Sequence, residues 1–278
     1  MTVHYAVMGN PIAHSKSPLI HRLFASQLGE PIIYEKILVP IGGLKQAIAE
    51  FQAQGGKGLN ITLPFKEEAF ELAEELGAVA RLAGAVNTLT FGKKLQGDNT
   101  DGIGLLRDLE QNKKVVVDNK KILVLGAGGA VRGILPVLLS CKPANIVVAN
   151  RTLEKARILV ERFKHLESPI TAVDFNHIPH EKYDLIFNGI SSHLLKEAGP
   201  ELPSTLIHDQ VVAYDLVYAD ERTPFENWAL DNGATRVFNG LGMLVEQAAE
   251  SYFIWRGQRP NTEPVIRALS SPPCHPGI

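Results

Sequence analysis

Lys66 and Asp101 are the two residues of this chain best suited to move a proton. Lys66 ends the run Asn60-Ile-Thr-Leu-Pro-Phe-Lys66, and Gly97-Asp-Asn-Thr-Asp-Gly102 supplies the carboxylates Asp98 and Asp101. An alcohol oxidised by hydride transfer must also lose its hydroxyl proton, and a lysine beside an aspartate can manage that. Burial brings an ammonium towards the working pH range, while the carboxylate orients it and helps to bind a hydroxyl. No metal is needed. His4, His14 and His21 have no matching cysteine or carboxylate pattern for zinc.

Further polar groups sit among apolar residues. Asn60 and Thr62 alternate at a strand end, and Ala83-Gly-Ala-Val-Asn-Thr88 places Asn87 in a small, apolar context. The loop Gly9-Asn-Pro-Ile-Ala-His-Ser-Lys-Ser-Pro18 carries two hydroxyls, Ser15 and Ser17. Each has a purely structural reading. Ser17 suits an N-cap with Pro18 at the first helical position, Asp98 or Asp101 suits the N-cap of the next helix, and Lys66 suits an exposed first turn. Together they describe a pocket for a polyhydroxylated ligand.

A third feature is Gly126-Ala-Gly-Gly-Ala130, directly after the apolar run Lys121-Ile-Leu-Val-Leu125. Gly126 permits a tight turn and Gly128 a close approach of backbone to phosphate. The following helix offers free amides and a positive dipole end, so the context is that of a dinucleotide site. Val131 stands where glycine or alanine is usual, which predicts slightly looser packing of helix on strand. The tip of the next strand reads Asn150-Arg-Thr152, with Lys155 one turn on and no carboxylate at the tip. A guanidinium there can clamp a 2′-phosphate, so NADP is favoured over NAD.

The elements that must position these groups alternate strand and helix. Strand-like runs are Tyr5–Met8, Ile32–Val39, Gly58–Thr62, Lys121–Leu125, Asn145–Ala149, Tyr183–Phe187 and Val211–Leu216. Helical spacing is seen over Leu19–Phe24, Leu44–Gln54, Lys66–Leu76, Ile103–Leu109 and Leu153–Lys164. This order argues for mostly parallel, helix-covered sheets. A second sheet is expected to begin near Lys121. The segment Gln111–Lys120 reads as a junction, and Ser270–Gly277 as a frayed tail.

Composition excludes several classes. The 278 residues are 45% hydrophobic and 21% charged, with a formal net charge of -2. Nothing there favours nucleic acid or a membrane surface. No run is apolar enough to span a bilayer and no signal peptide is visible, so a cytoplasmic protein is expected. Cys141 and Cys274 are too few and too far apart for a disulfide framework. No exposed apolar helix face marks an interface, which leaves the oligomeric order, homodimer included, open.

Taken together, these motifs resemble the shikimate dehydrogenases of the aromatic amino-acid pathway, to which Gly240-Leu-Gly-Met-Leu-Val-Glu-Gln247 adds a further match. The resemblance spans nearly the whole chain. It implies two domains, an N-terminal α/β substrate domain over 1–101 completed by the C-terminal helices of 241–270 and a Rossmann-like NADP domain over 102–240, with a cleft between them. It also implies reversible NADPH-dependent reduction of 3-dehydroshikimate to shikimate, on the route to chorismate. By it, Ser15 and Ser17 bind the substrate carboxylate, and Asn60, Thr62, Asn87, Tyr218 and Gln247 line the pocket. Lys66 and Asp101 form the catalytic pair. Gly126, Ala127, Gly128, Gly129, Ala130, Asn150, Arg151, Thr152, Lys155, Leu216 and Gly240 contact the cofactor. Three positions depart from the pattern: Asn188-Gly-Ile-Ser191 replaces Asn-Ala-Thr-Ser, Lys155 stands where arginine is common, and Ala78 where an acidic residue is frequent. The alternatives are a quinate/shikimate dehydrogenase using NAD and a non-catalytic dinucleotide sensor. The first often carries an acidic residue where this chain has Thr152 and Leu153, and the second has no use for a proton-transfer lysine.

Overall fold

The computed structural model describes residues 2–166, 169–190, 202–219 and 221–270. The chain divides into two compact units, Met1–Asp108 with Leu241–Ile278, and Leu109–Gly240. The junction lies at 108/109 rather than at the expected 101/102, because helix α5 (Asp101–Arg107) packs against α9 (Leu241–Arg256) of the first unit.

The first unit is built on a six-stranded sheet in the order β2-β1-β3-β5-β6-β4. Its strands are β1 (Val3–Gly9), β2 (Ile32–Leu38), β3 (Gly58–Ile61), β4 (Glu75–Leu76), β5 (Thr88–Phe91) and β6 (Leu95–Asp98). The sheet is mixed: β1 pairs parallel with β2 and β3, while β5 runs antiparallel to both β3 and β6. Period-two alternation on β1 sends Ala6 and Met8 into one apolar cluster with Leu44, Ile48 and Phe51 of α2 (Leu44–Ala53). On the opposite face Tyr5 stacks on Trp255 of α9 at 4.5 Å. A second cluster joins Ile20 and Phe24 of α1 (Ser17–Leu28) to Val245, Ala248 and Tyr252 of α9 and Val265 of α10 (Glu263–Ser270).

Local chemistry sets the ends. Gly29 closes α1 in the left-handed region, φ 66°. The helix expected over Lys66–Leu76 stops early: α3 spans Lys66–Leu72, Ala73 turns extended, and Glu75–Leu76 pair with Gln96–Gly97. Sheet pairing outweighs helical periodicity there.

The second unit holds a six-stranded, all-parallel sheet in the order β12-β11-β10-β7-β8-β9. Its strands are β7 (Lys121–Leu125), β8 (Asn145–Ala149), β9 (Ile170–Val173), β10 (Leu185–Asn188), β11 (Val212–Asp215) and β12 (Arg236–Phe238). Ranked from β7 as the first, the spatial order is 3-2-1-4-5-6, that of a doubly wound dinucleotide fold. Ile122, Leu123, Val124 and Leu125 are all fully buried, as a strand covered by helices on both faces requires. The helices include α6 (Gly129–Ser140), α7 (Leu153–Glu161) and α8 (Pro224–Asp231). Among the described residues no helix is long and apolar enough to cross a membrane. Ser270, expected to begin the frayed tail, ends α10, while the rest of that tail with Cys274 lies outside the described residues, as does Ser191.

Candidate functional site

In the first unit the carboxylate of Asp101 is the centre of a buried polar network. Its Oδ2 accepts from Lys66 Nζ at 2.5 Å, and its Oδ1 accepts from Asn87 Nδ2 at 2.9 Å. Lys66 opens α3 and Asp101 opens α5, so two helix starts bring the pair together. Their side chains keep 15% and 6% of their exposure, which leaves the ammonium a narrow opening to solvent.

Asn87 has a fixed orientation. The backbone amide of Thr100 donates to its Oδ1 at 2.9 Å, as does Thr88 Oγ1 at 2.9 Å, so its NH2 group must face Asp101. The same NH2 reaches Thr100 Oγ1 at 2.9 Å and Gln247 Oε1 at 3.3 Å. Gln247 arrives from α9 because Gly104 of α5 has no side chain; a Cβ there would lie 2.6 Å from that of Gln247. Asn60 completes the network: its Nδ2 donates to Asn87 O (3.1 Å), Thr88 Oγ1 (3.2 Å) and Ser251 Oγ (3.0 Å).

The serine loop differs from its expected capping. Lys16, not Ser17, occupies the N-cap of α1, and Ser17 is its first residue, followed by Pro18. Ser15 Oγ instead accepts from the Ser17 backbone amide at 3.3 Å, and Ser17 is buried. Thr62 packs its methyl against Gly9, where a Cβ would lie 2.4 Å away. Asp101 is likewise not an N-cap; Thr100 holds that position without a side-chain bond.

In the second unit the expected cofactor residues gather at the carboxyl ends of the strands. Gly126 turns the chain at φ 102°, and an added Cβ would meet Gly189 O at 3.0 Å. Gly128 is the N-cap of the 12-residue α6, and a Cβ there would meet nothing within 4 Å. Ala127, Gly129 and Ala130 complete the loop and the first turn, so free amides border open space, a fit for a pyrophosphate. At the tip of β8, Asn150 Nδ2 donates to Thr152 O at 2.9 Å, and Arg151 and Lys155 are exposed. Thr152 is the N-cap of α7 by position, but its side chain makes no capping bond. Gly240 fits beneath Leu216 O, 2.3 Å from where its Cβ would be. Tyr218 follows β11 in this unit.

The slack expected from Val131 is absent. Val131 is fully buried, and a Cβ on Gly189 would come within 2.3 Å of its Cγ2. The side chain added on the helix is accommodated by the one missing from the loop after β10.

Beside that loop lies Asp215, a fully buried carboxylate. Its Oδ1 accepts from Asn188 Nδ2 and Val217 N, both at 3.0 Å, and its Oδ2 accepts from Thr223 Oγ1 at 2.6 Å. Burial nevertheless pushes its pKa up to about 6, with these hydrogen bonds opposing the rise.

Family models match three stretches of the chain: a shikimate dehydrogenase substrate binding domain over residues 7–89, a shikimate/quinate 5-dehydrogenase over 108–198, and a shikimate 5′-dehydrogenase C-terminal domain over 240–269. A shikimate dehydrogenase (NADP+) of Alkalilimnicola ehrlichii is 52% identical over 97% of this chain and 99% of its own length. The chain belongs to the shikimate dehydrogenase family. Among solved structures of similar chains are an Ael1 enzyme from Pseudomonas putida and a shikimate 5-dehydrogenase from Thermus thermophilus in complex with NADP(H) and shikimate. The first has a TM-score of 0.88 and 41% identity, covering 97% of this chain and 99% of that one. The second has a TM-score of 0.82 and 31% identity, covering 96% and 98%.

For a shikimate dehydrogenase, two departures now have a structural meaning. Ile190, in place of threonine, packs against the apolar cluster of the second unit. Ala78 is the exposed first residue of the short helix α4 (Ala78–Ala83). Sequence reasoning missed Tyr34, whose phenol donates to Asn60 Oδ1 at 2.7 Å, and Thr88, Thr100 and Ser251 as members of the network. Thr88 and Thr100 stood inside motifs already singled out, and Ser251 lies one helical turn after Gln247, a spacing that places both on one face.

Proposed function

We propose that this chain catalyses the reversible, NADPH-dependent reduction of 3-dehydroshikimate to shikimate. The observation that carries the reading is the Lys66–Asp101 pair, held at 2.5 Å in a network of hydrogen-bonding side chains. NADPH, when bound, supplies the hydride.

Lys66 Nζ gives its proton to the carbonyl oxygen as the alcohol forms, and takes it back in the reverse direction. Asp101 holds the ammonium in place and accepts from a substrate hydroxyl. Asn87 keeps the carboxylate turned, and Ser15, Ser17, Asn60, Thr62, Tyr218 and Gln247 grip the remaining polar groups of the substrate. Gly126 to Ala130 cradle the pyrophosphate, with Leu216 and Gly240 contacting the cofactor further on. Asn150, Arg151, Thr152 and Lys155 hold the adenosine 2′-phosphate, since a guanidinium and an ammonium on a carboxylate-free tip favour NADP. The enzyme works in the cytoplasm, where its cofactor pool lies, and a homodimer is one assembly open to it.

The test is a steady-state assay following NADPH absorbance with shikimate and with quinate. Turnover with shikimate and NADP+ is expected, and a Lys66→Ala variant should lose at least about 10²-fold in kcat, the usual range for a positioned acid or base. Comparable turnover with quinate and NAD would overturn the assignment, as would near-normal kcat in Lys66→Ala.

A further inference from the structure

Ser251 is a fully buried hydroxyl on α9, in a stretch where Ala248, Ala249 and Tyr252 belong to an apolar cluster. The steps described so far make no use of it. Yet its Oγ stands within bonding distance of three separate segments of the first unit. Asn60 Nδ2 of β3 is 3.0 Å away, Thr88 Oγ1 of β5 is 2.8 Å away, and Thr100 Oγ1, just before α5, is 3.2 Å away. Asn60 and Thr88 are direct cross-strand partners, so their side chains leave the same face of the sheet. Ser251 spans that pair.

Proton counting gives these contacts a direction. The carbonyl oxygen of Asn60 accepts from the Tyr34 phenol at 2.7 Å, which leaves its NH2 group to face the other way. That group has two protons, and its two nearest acceptors are Ser251 Oγ at 3.0 Å and Asn87 O at 3.1 Å, with Thr88 Oγ1 farther off at 3.2 Å. Thr88 gives its one hydroxyl proton to Asn87 Oδ1 at 2.9 Å. In the 2.8 Å contact with Thr88, Ser251 is therefore the donor. The competing acceptor, Gln247 O at 3.1 Å, is the carbonyl to which the helix already pairs the Ser251 backbone amide.

The order is thus Asn60 to Ser251 to Thr88 to Asn87, each hydroxyl taking one proton and passing one on. Asn87 spends its own NH2 group on Asp101 Oδ1 and Thr100 Oγ1, both at 2.9 Å. One unbranched series of bonds runs from an amide expected to line the pocket to the carboxylate beside Lys66. Bonds in such a series polarise one another, so a break in the middle is felt at both ends.

We propose that Ser251 is a positioning residue of the substrate site: its hydroxyl joins Asn60 to Asn87 through Thr88, and so keeps the pocket wall aligned with the amide behind Asp101. This rests on the shikimate reading above. A cyclic hydroxy-acid is rigid, and its polar groups must be met at set separations. Without the hydroxyl, the second proton of Asn60 has only the longer contact to Thr88, and Thr88 loses its donor. Asn87 keeps the backbone amide of Thr100, and Asp101 keeps Lys66. Substrate binding then weakens, while proton transfer survives.

The experiment compares wild type, Ser251→Ala, Thr88→Val and the double variant in steady state with shikimate and NADP+, alongside calorimetric titration of shikimate and thermal melting. Alanine suits a helix and valine suits a strand, so each single variant should melt within about 4 °C of wild type. Ser251→Ala is expected to raise both KM and Kd for shikimate about fivefold, the range of one buried hydrogen bond. Its kcat and its KM for NADP+ should stay within about threefold of wild type. The double variant should lose less than the product of the two single effects, because both substitutions cut one chain. Thr88→Val by itself should also raise KM and Kd for shikimate selectively, and it decides the matter if Ser251→Ala does not fold. Unchanged KM and Kd for shikimate in Ser251→Ala, strictly multiplicative effects in the cycle, or an equal loss in kcat and in both KM values would overturn the proposal. Absence of shikimate turnover in wild type would overturn the functional reading instead.

Discussion

Asp215 illustrates how one side chain can serve a site at the expense of the fold. All three of its partners donate to it, so the carboxylate form is the one its hydrogen bonds want, yet burial raises its pKa to about 6 from 3.8. A raised carboxyl pKa means that the fold favours the neutral acid. Its contribution to stability is therefore whole below the unfolded value near 3.8 and is lost as pH rises through about 6. The size is about 3 kcal/mol, at about 1.4 kcal/mol per unit. Chemical denaturation of wild type and Asp215→Asn from pH 4 to pH 7 should show wild type losing stability relative to the variant by roughly that amount. Parallel curves would show that the carboxyl does not titrate in this window. The cost is tolerated because Asp215 ties the loop after β10, through Asn188, to the turn after β11, through Val217, where the nucleotide fold keeps its switch-point crevice.

Between elements, space decides what a glycine means. Gly126 and Gly128 look alike in the sequence, but only Gly126 has a backbone that demands glycine, at φ 102°. Gly128 has ordinary φ, -82°, and room for a methyl group. Gly128→Ala is thus expected to leave the melting temperature nearly unchanged while weakening NADP+ binding about tenfold or more, as measured by titration calorimetry. Equal binding would mean that the phosphates do not approach this backbone. The pairing of Val131 with Gly189 follows the same logic. The glycine-rich turn announced α6, and the apolar run announced β10 two residues early, at Tyr183 rather than Leu185. Neither could reveal that the space left by the missing side chain of Gly189, just after β10, is filled by Val131 of α6. The early stop of α3 is similar: Glu75 and Leu76 fit the helical pattern, and only the presence of β6 alongside makes them a strand.

At the scale of the whole molecule, connectivity separates the two units. Leu109–Gly240 is one continuous stretch with its own parallel sheet, and Arg236 of β12 donates to Lys113 O at 2.9 Å, fastening its two ends together. The first unit needs both ends of the chain, since α1 shares its core with α9 and α10. An excised fragment of residues 109–240 is expected to unfold cooperatively and to bind NADP+; a fragment of residues 1–108 alone should not unfold cooperatively. Calorimetry of the two fragments checks this, and a fragment 109–240 without a cooperative transition would refute it.

Much of this protein was legible from residue order alone. The alternation of strands and helices, the glycine-rich turn after a buried strand, the carboxylate-free tip at Asn150–Thr152 and the lysine and aspartate suited to proton transfer are all local facts. Local facts are set by propensity, periodicity and turn chemistry, which act over a few residues. The edge strand β4, the antiparallel pairing of β5, the true N-cap at Lys16 and the network through Tyr34, Thr88, Thr100 and Ser251 were not legible. Each depends on which distant backbone or side chain fills the neighbouring space, and a hydrogen bond between residues 191 positions apart, such as Asn60 to Ser251, leaves no mark on either neighbourhood. Sequence by itself determined that Lys66 and Asp101 could do acid–base chemistry. Tertiary structure decided that they stand as a pair, because only folding brings an ammonium and a carboxylate 35 positions apart to 2.5 Å in a place largely closed to water.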